Sequence, residues 1–363
     1  MQDSDYFFKR VSPKMFGPPE RKLRAGRFFW AAQSQLAGSL SFADRRHIPK
    51  QDTSMTWQPV TTEPNQLGES PFWHPQEQQL YWVDITAKLI CRSNIFTGTV
   101  QTWSMPFEPG CIAPARDGGV VIALRDGIYL ARVWGGALLK LAQIDYPVST
   151  TRANDGKCDT MGRFWVGTYY EPRDLPLAAL YCIDARGPGT AQATKMADQS
   201  QVANGLAWSP DAKTLYWADT GAGLVHAWDW DANSNAMTRQ RTLAQFPAKP
   251  QGWHSGQAGY LGRPDGAAAD SAGNYWVAMY EGARVLQIAP NGDVLADIAT
   301  PAQCPTMVCF GGDDLKTLYL TTARQKRPAA ELETYPQSGC VFSMRIAVPG
   351  LPVNFFQCGA NLK

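Results

Sequence analysis

Residues 151–168 read TRANDGKCDTMGRFWVGT, and the fold turns on how the two halves of this stretch are understood. The second half, DTMGRFWVGT at 159–168, is a polar turn with a glycine that leads into aromatic and β-branched residues, the pattern of a buried strand after a tight turn. That pattern recurs. It returns as HPQEQQLYWVDI at 74–85, RDGGVVIAL at 116–124, SPDAKTLYWADT at 209–220, DSAGNYWVAM at 270–279 and GDDLKTLYLTT at 312–322. Anchored on Trp82, Ile122, Trp165, Trp217, Trp276 and Tyr319, the copies lie 40, 43, 52, 59 and 43 residues apart. Those intervals suit four-stranded propeller blades, and six anchors predict six of them.

Between the anchors the chain consists of short apolar runs separated by Gly, Pro, Asn and Asp, with no long helical period. The expectation is therefore an all-β protein, a six-bladed β-propeller spanning residues 55–363. A β-sandwich competes for any all-β chain, but it gives no reason for one turn-strand signature to repeat at blade length. The ring is expected to close by pairing a strand near Met55–Val60 with the strands around Cys340–Ala347, which removes an exposed edge.

With 363 residues, 44% hydrophobic and 18% charged, the chain can bury a sizeable core. Its net charge of +2 conceals an asymmetry: residues 1–54 carry ten Lys/Arg against five Asp/Glu, and the remainder carries 24 against 27. A mildly acidic body argues against a nucleic-acid surface. The basic head contains RKLRAGRFFWAAQSQLAGSLSF at 21–42, where Gln33, Ser34, Gln35 and Ser39 interrupt the apolar run that a signal peptide needs. No stretch reaches the ~20 apolar residues of a membrane span. Residues 1–54 hold neither an anchor nor a site motif and are expected to stand apart from the propeller as a leader, Met55 being a candidate internal start. Eight cysteines without a Cys-x-x-Cys pair, and only four histidines, point to reduced thiols rather than a thiolate or tri-histidine zinc site. A cytoplasmic protein, monomeric or weakly self-associating, is the resulting expectation, with no nucleic-acid or membrane partner.

The first half of the opening stretch raises a different question, because Arg152, Asn154 and Asp155 are polar residues at the start of a strand. Counting back from the anchors places Glu69 13 residues before Trp82, Asn204 13 before Trp217, Asn154 11 before Trp165 and Asp265 11 before Trp276. Any one of them alone is readily explained as a turn residue. Together they occupy matching repeat positions, at the start of the strand expected to be innermost, so ring closure would gather them at one mouth of the central channel. Glu69, Asn204 and Asp265 are hard oxygen donors with two negative charges, which suit a divalent cation: Ca²⁺ first, with Mg²⁺ or Mn²⁺ behind it. Without a cation the two carboxylates would repel, and one would hold a proton.

The segments LGESPFWHPQEQQLYWVDI, RANDGKCDTMGRFWVGT, VANGLAWSPDAKTLYWADT and GRPDGAAADSAGNYWVAM resemble the SMP-30/gluconolactonase/luciferin-regenerating-enzyme-like family across about residues 60–350. The resemblance implies a six-bladed propeller with one divalent metal in its channel, Ca²⁺ or alternatively Zn²⁺, Mg²⁺ or Mn²⁺, and hydrolysis of sugar lactones. Carried over by motif, it implies Glu69, Asn204 and Asp265 as metal ligands, Arg152 and Asn154 as substrate contacts, and Glu171 as an acidic substrate contact, although YYEPRDLP matches poorly around that position. Asp265 is the expected proton-transfer residue. The insert FPAKPQGWHSGQAGYLGR at 246–263 departs from the family pattern and is expected to be a lid or a decorated loop. Gly-x-Ser-x-Gly, His-Glu-x-x-His, Walker and Rossmann motifs are absent. A metal-dependent lactonase of gluconolactonase type leads, ahead of a hydrolase of other esters or organophosphates and a non-catalytic calcium-binding propeller. His47, His74, His226 and His254 are read as surface residues.

Overall fold

In two of the repeats a turn aspartate fixes the aromatic anchor that follows it. In the computed structural model, which describes residues 56–359, Asp159 accepts the backbone N–H groups of Met161 and Arg163 and also the indole N–H of Trp165 at 2.8 Å. Asp270 does the same for Ala272, Asn274 and Trp276, with the indole at 2.9 Å. One carboxylate thus closes the turn and fixes the aromatic anchor that follows, a charge-assisted arrangement stronger than neutral hydrogen bonds. The anchors themselves are buried in the strands Gln79–Asp84, Val120–Leu124, Phe164–Tyr170, Thr214–Asp219, Tyr275–Tyr280 and Thr317–Thr322.

Those six strands are second in six antiparallel sheets of four strands each, so the chain is a six-bladed β-propeller. Blades 1 to 5 are meanders of consecutive strands. Blade 6 takes its outermost strand, Gln58–Pro59, from the far end of the described chain, pairing Gln58 with Ser343 and Pro59 with Phe342. Proline is tolerated there because an edge strand has a side that need not donate. Closure at the expected place leaves the ring without a free seam. The leader, residues 1–54, lies outside the described residues, as does Met55.

Each blade's innermost strand touches its neighbours' innermost strands around the axis: Gly68–His74, Pro109–Pro114, Thr151–Cys158, Ala203–Trp208, Arg263–Ala269 and Pro305–Gly311. Apolar clusters fill the spaces between blades, for example Trp165, Trp208, Trp217 and Trp230 between blades 3 and 4. The segment 350–358 then crosses one end of the channel, bridging Asp270 through Gly350, Ala115 through Phe356 and Ala185 through Cys358. Phe356 is 1% exposed and meets Phe164 edge-on. All eight cysteines are free thiols, seven of them buried.

Candidate functional site

The inner strands of blades 1, 3, 4 and 5 carry the polar residues, and in each the pairing register slips directly beside them. The shifts fall between Glu69 and Phe72, Ala153 and Gly156, Asn204 and Ala207, and Pro264 and Ala267. A β-bulge of this kind bends its strand and re-aims side chains, here at the channel mouth. Glycine follows where the axis is crowded. Gly205 has φ +63°, and a Cβ there would stand 2.2 Å from the Tyr275 hydroxyl, which donates to the Gly205 carbonyl instead.

Glu69, Arg152, Asn154, Glu171, Asn204 and Asp265 all line one cavity of about 890 Å³. The structure therefore brings together every site residue expected from the sequence, including Glu171. Asp155, expected at the mouth with them, does not line that cavity. It is buried beneath, where Oδ2 accepts the Leu206 N–H at 3.0 Å and Oδ1 has no hydrogen-bond partner. His74 is another correction: it is buried at the far end of the blade 1 inner strand, 6% exposed, with Nδ1 accepting the Glu77 N–H.

A chain of hydrogen bonds links the polar residues across blades. Arg152 donates to Asn154 Oδ1 at 2.7 Å; Asn154 Nδ2 donates to Asn204 Oδ1 at 2.8 Å and to the Ala203 carbonyl at 3.1 Å. Asn204 Nδ2 donates to Thr220 Oγ1 at 2.8 Å, and that hydroxyl donates to the Pro264 carbonyl at 2.7 Å. Both Asn154 amide hydrogens are engaged, so this side chain connects Arg152 to Asn204 more than it presents a free donor. Arg152 lies 4.8 Å above the Tyr169 ring, with Nε 3.9 Å from Glu171 Oε1. Arg125 bridges Glu108 and Glu171, each at 3.0 Å.

Burial raises the Glu69 carboxyl well above its ordinary value, and the nearby Asp265 and Asp155 raise it further. Asp265 is raised for the same reasons, burial first and then Asp155. Burial lowers Arg152. Two buried carboxyls that resist ionising, an amide oxygen beside them and an unpaired buried carboxylate oxygen below describe a donor cluster that lacks a cation of its own. The donor set fits a hard divalent cation. Among the described residues no group of three or more His, Cys, Asp or Glu is placed to hold a metal, so the ligands would be two carboxylates and the Asn204 amide.

Sequence reasoning overlooked Glu108, Arg125, Lys249, Arg263, Glu281 and Arg327, all on the cavity wall. For Arg263 a signal existed: it stands 13 residues before Trp276, as Arg152 stands 13 before Trp165. The insert supplies Lys249, whose Nζ is 2.8 Å from Glu281 Oε1 and 5.2 Å from the Trp253 ring, so this loop forms part of the wall.

Residues 67–324 match the family described as SMP-30/Gluconolactonase/LRE-like region. A 6-deoxy-6-sulfogluconolactonase from Pseudomonas putida is 43% identical over 291 residues, covering 80% of this chain and 95% of that protein. Regucalcin from Danio rerio is 34% identical over 300 residues, 81% of this chain and 95% of its own. Among solved structures, a calcium-binding protein, regucalcin, from Agrobacterium tumefaciens superposes with a TM-score of 0.75 at 23% identity, covering 84% of this chain and 98% of its own, a likeness of fold.

Proposed function

This chain belongs to the SMP-30/gluconolactonase/LRE-like family, and on that premise we propose that it hydrolyses a sugar lactone to the open-chain aldonic acid at the charged mouth of its channel. The observation that carries the proposal is the convergence of Glu69, Asn204 and Asp265 with Arg152 in one cavity. A 43% identical relative named as a lactonase supports the reaction class.

Glu69, Asn204 and Asp265 would hold the divalent ion. When bound, such an ion polarises a carbonyl and acidifies water. Every other task falls to this chain. Arg152, fixed by Asn154, the Ala153 carbonyl and the Tyr169 ring, is held to receive the oxygen on which negative charge grows. Glu171, oriented by Arg125, accepts hydrogen bonds from sugar hydroxyls. Water oxygen bonds to the lactone carbonyl carbon as Asp265 takes its proton. The ring carbon–oxygen bond then breaks, and the proton passes to the departing ring oxygen. Burial and the neighbouring Asp155 raise the Asp265 carboxyl, which suits it to accept a proton from water.

The test is hydrolysis of a panel of aldonolactones by purified protein, with and without chelator. Chelator-sensitive turnover of at least one lactone is expected. Absence of lactone hydrolysis with Ca²⁺, Mg²⁺, Mn²⁺ or Zn²⁺ supplied would overturn the assignment.

A further inference from the structure

The two walls of the mouth are charged differently. On the side of blades 2 and 3, Arg125 and Arg152 are matched by Glu108 and Glu171, and only the exposed Arg173 is left over. Across the cavity, three cations crowd one buried carboxylate: Lys249 and Arg327 approach Glu281 Oε1 at 2.8 and 2.9 Å, and Arg263 lies 3.3 Å from Oε2. Glu331, buried behind the wall, takes a second share of Arg327. With the exposed Lys326 also on the lining, four cations on this side face Glu281 and Glu331, the Asp265 carboxylate being assigned to the metal.

A neutral sugar asks only for hydrogen bonds, and an excess of positive charge gathered in a mildly acidic body calls for an anion. Arg263 is the blade 5 counterpart of Arg152 in blade 3: each precedes the rim residue of its strand, Asp265 or Asn154, by two positions. The two arginines stand on different blades of one ring, so they can meet different ends of one sugar, Arg152 at the reacting carbonyl and Arg263 at the carbon most distant from it. Arg263 and Lys249 are 27% and 36% exposed and so accessible to a ligand; Lys249 is held by its hydrogen bond to Glu281, and Arg263 stands 5.1 Å over the Tyr280 ring.

We propose that Arg263 and Lys249 form a subsite for an anionic group, a sulfonate or phosphate, on the lactone carbon most distant from the carbonyl. The inference rests on the lactonase assignment and adds the substrate class to it. Arg327, bound to both Glu281 and Glu331, acts as a positioning residue behind them.

Kinetics would compare glucono-1,5-lactone with its 6-phospho and 6-deoxy-6-sulfo derivatives, using the native protein, Arg263→Gln and Lys249→Gln. In the native protein kcat/KM is expected to favour an anionic lactone by about tenfold or more, a preference that shrinks with added salt. Each variant should lower kcat/KM for the anionic lactone about 10- to 100-fold, chiefly through KM, and so collapse the preference. Comparing the two derivatives decides between sulfonate and phosphate. A native preference for the neutral lactone, or an equal loss on both kinds of substrate, overturns the subsite. Calorimetric binding of 6-phosphogluconate, 6-deoxy-6-sulfogluconate and gluconate separates this from failure of the lactonase reading. If no lactone is turned over, tighter binding of either anionic sugar acid that is lost in Arg263→Gln still supports the subsite, and equal binding of all three rejects it.

Discussion

The two ends of the channel are built from the same six strands and have opposite character. At the mouth, where the inner strands begin, Glu69, Arg152, Asn204 and Asp265 face a cavity of about 890 Å³. A few residues on, the same strands present Phe72, Trp73, Ile112, Trp208, Met307 and Phe310 to a cavity of about 230 Å³, covered by Leu351–Asn354. Lys157 is the one cation among the described residues lining that smaller cavity, its ammonium donating to the Ala267 carbonyl at 2.6 Å and its pKa lowered by burial. One end uses burial to seal the fold, and the other uses it to hold carboxylates in a state that a cation or a proton must relieve. Stability and chemistry are thus divided along a single set of strands.

Removing metal should produce the largest difference between the ends. Chelation is expected to abolish lactone turnover and to lower the melting temperature, with activity returning to different extents on adding Ca²⁺, Mg²⁺, Mn²⁺ or Zn²⁺; a cation at 100 times its Kd stabilises by about 2.7 kcal/mol. Full activity in metal-free protein would erase the proposed role of the mouth.

Asp265→Asn comes next. It keeps the shape and one oxygen but removes a charge and the proton acceptor, so turnover should fall by about 10²- to 10⁴-fold and metal affinity with it. Near-native kinetics with metal bound would show that Asp265 is neither base nor essential ligand.

A smaller loss is expected for Asn154→Ala. Arg152 loses one of its two hydrogen-bond partners and keeps the Ala153 carbonyl, and kcat/KM should drop about 10- to 100-fold. Asn204 remains tied to Thr220, so metal titration should report a weaker effect than for Asp265→Asn. A larger one would move Asn154 among the ligands.

Phe356→Ala probes the sealed end. It should cost about 3–5 kcal/mol of stability, read by denaturant unfolding, while turnover below the melting transition stays near native. Loss of catalysis without loss of stability would dissolve the division between the two ends.

The mildest test uses pH. The Glu69 and Asp265 carboxyls are raised in the fold, so their favourable contribution is fullest below ordinary carboxylate pKa values and is lost as pH rises through their folded values. Metal offsets that loss. The gap in melting temperature between metal-bound and metal-free protein should therefore widen from about pH 5 to pH 8. A gap independent of pH would mean that these carboxyls are not coupled to the ion.

Much of this was legible in the sequence, for reasons visible at particular residues. Asp159 and Asp270 close their turns and bind their own anchor indoles within six residues, so that the same local chemistry recurs in blades 3 and 5. Counting back from such anchors found Glu69, Asn154, Asn204 and Asp265, because equivalent positions in a closed ring converge. What local pattern could not convey was direction and neighbourhood. Asp155 and Asn154 are adjacent in the chain, yet the bulge between Ala153 and Gly156 leaves only Asn154 on the cavity. Glu281 gathers Lys249, Arg263 and Arg327 from positions up to 46 residues away from it, and no spacing rule announces that cluster. Repeat length and turn chemistry are short-range properties that a sequence states outright. Which polar side chains share a wall depends on where bulges turn them and which loops fold over them, and those were decided only when the ring closed.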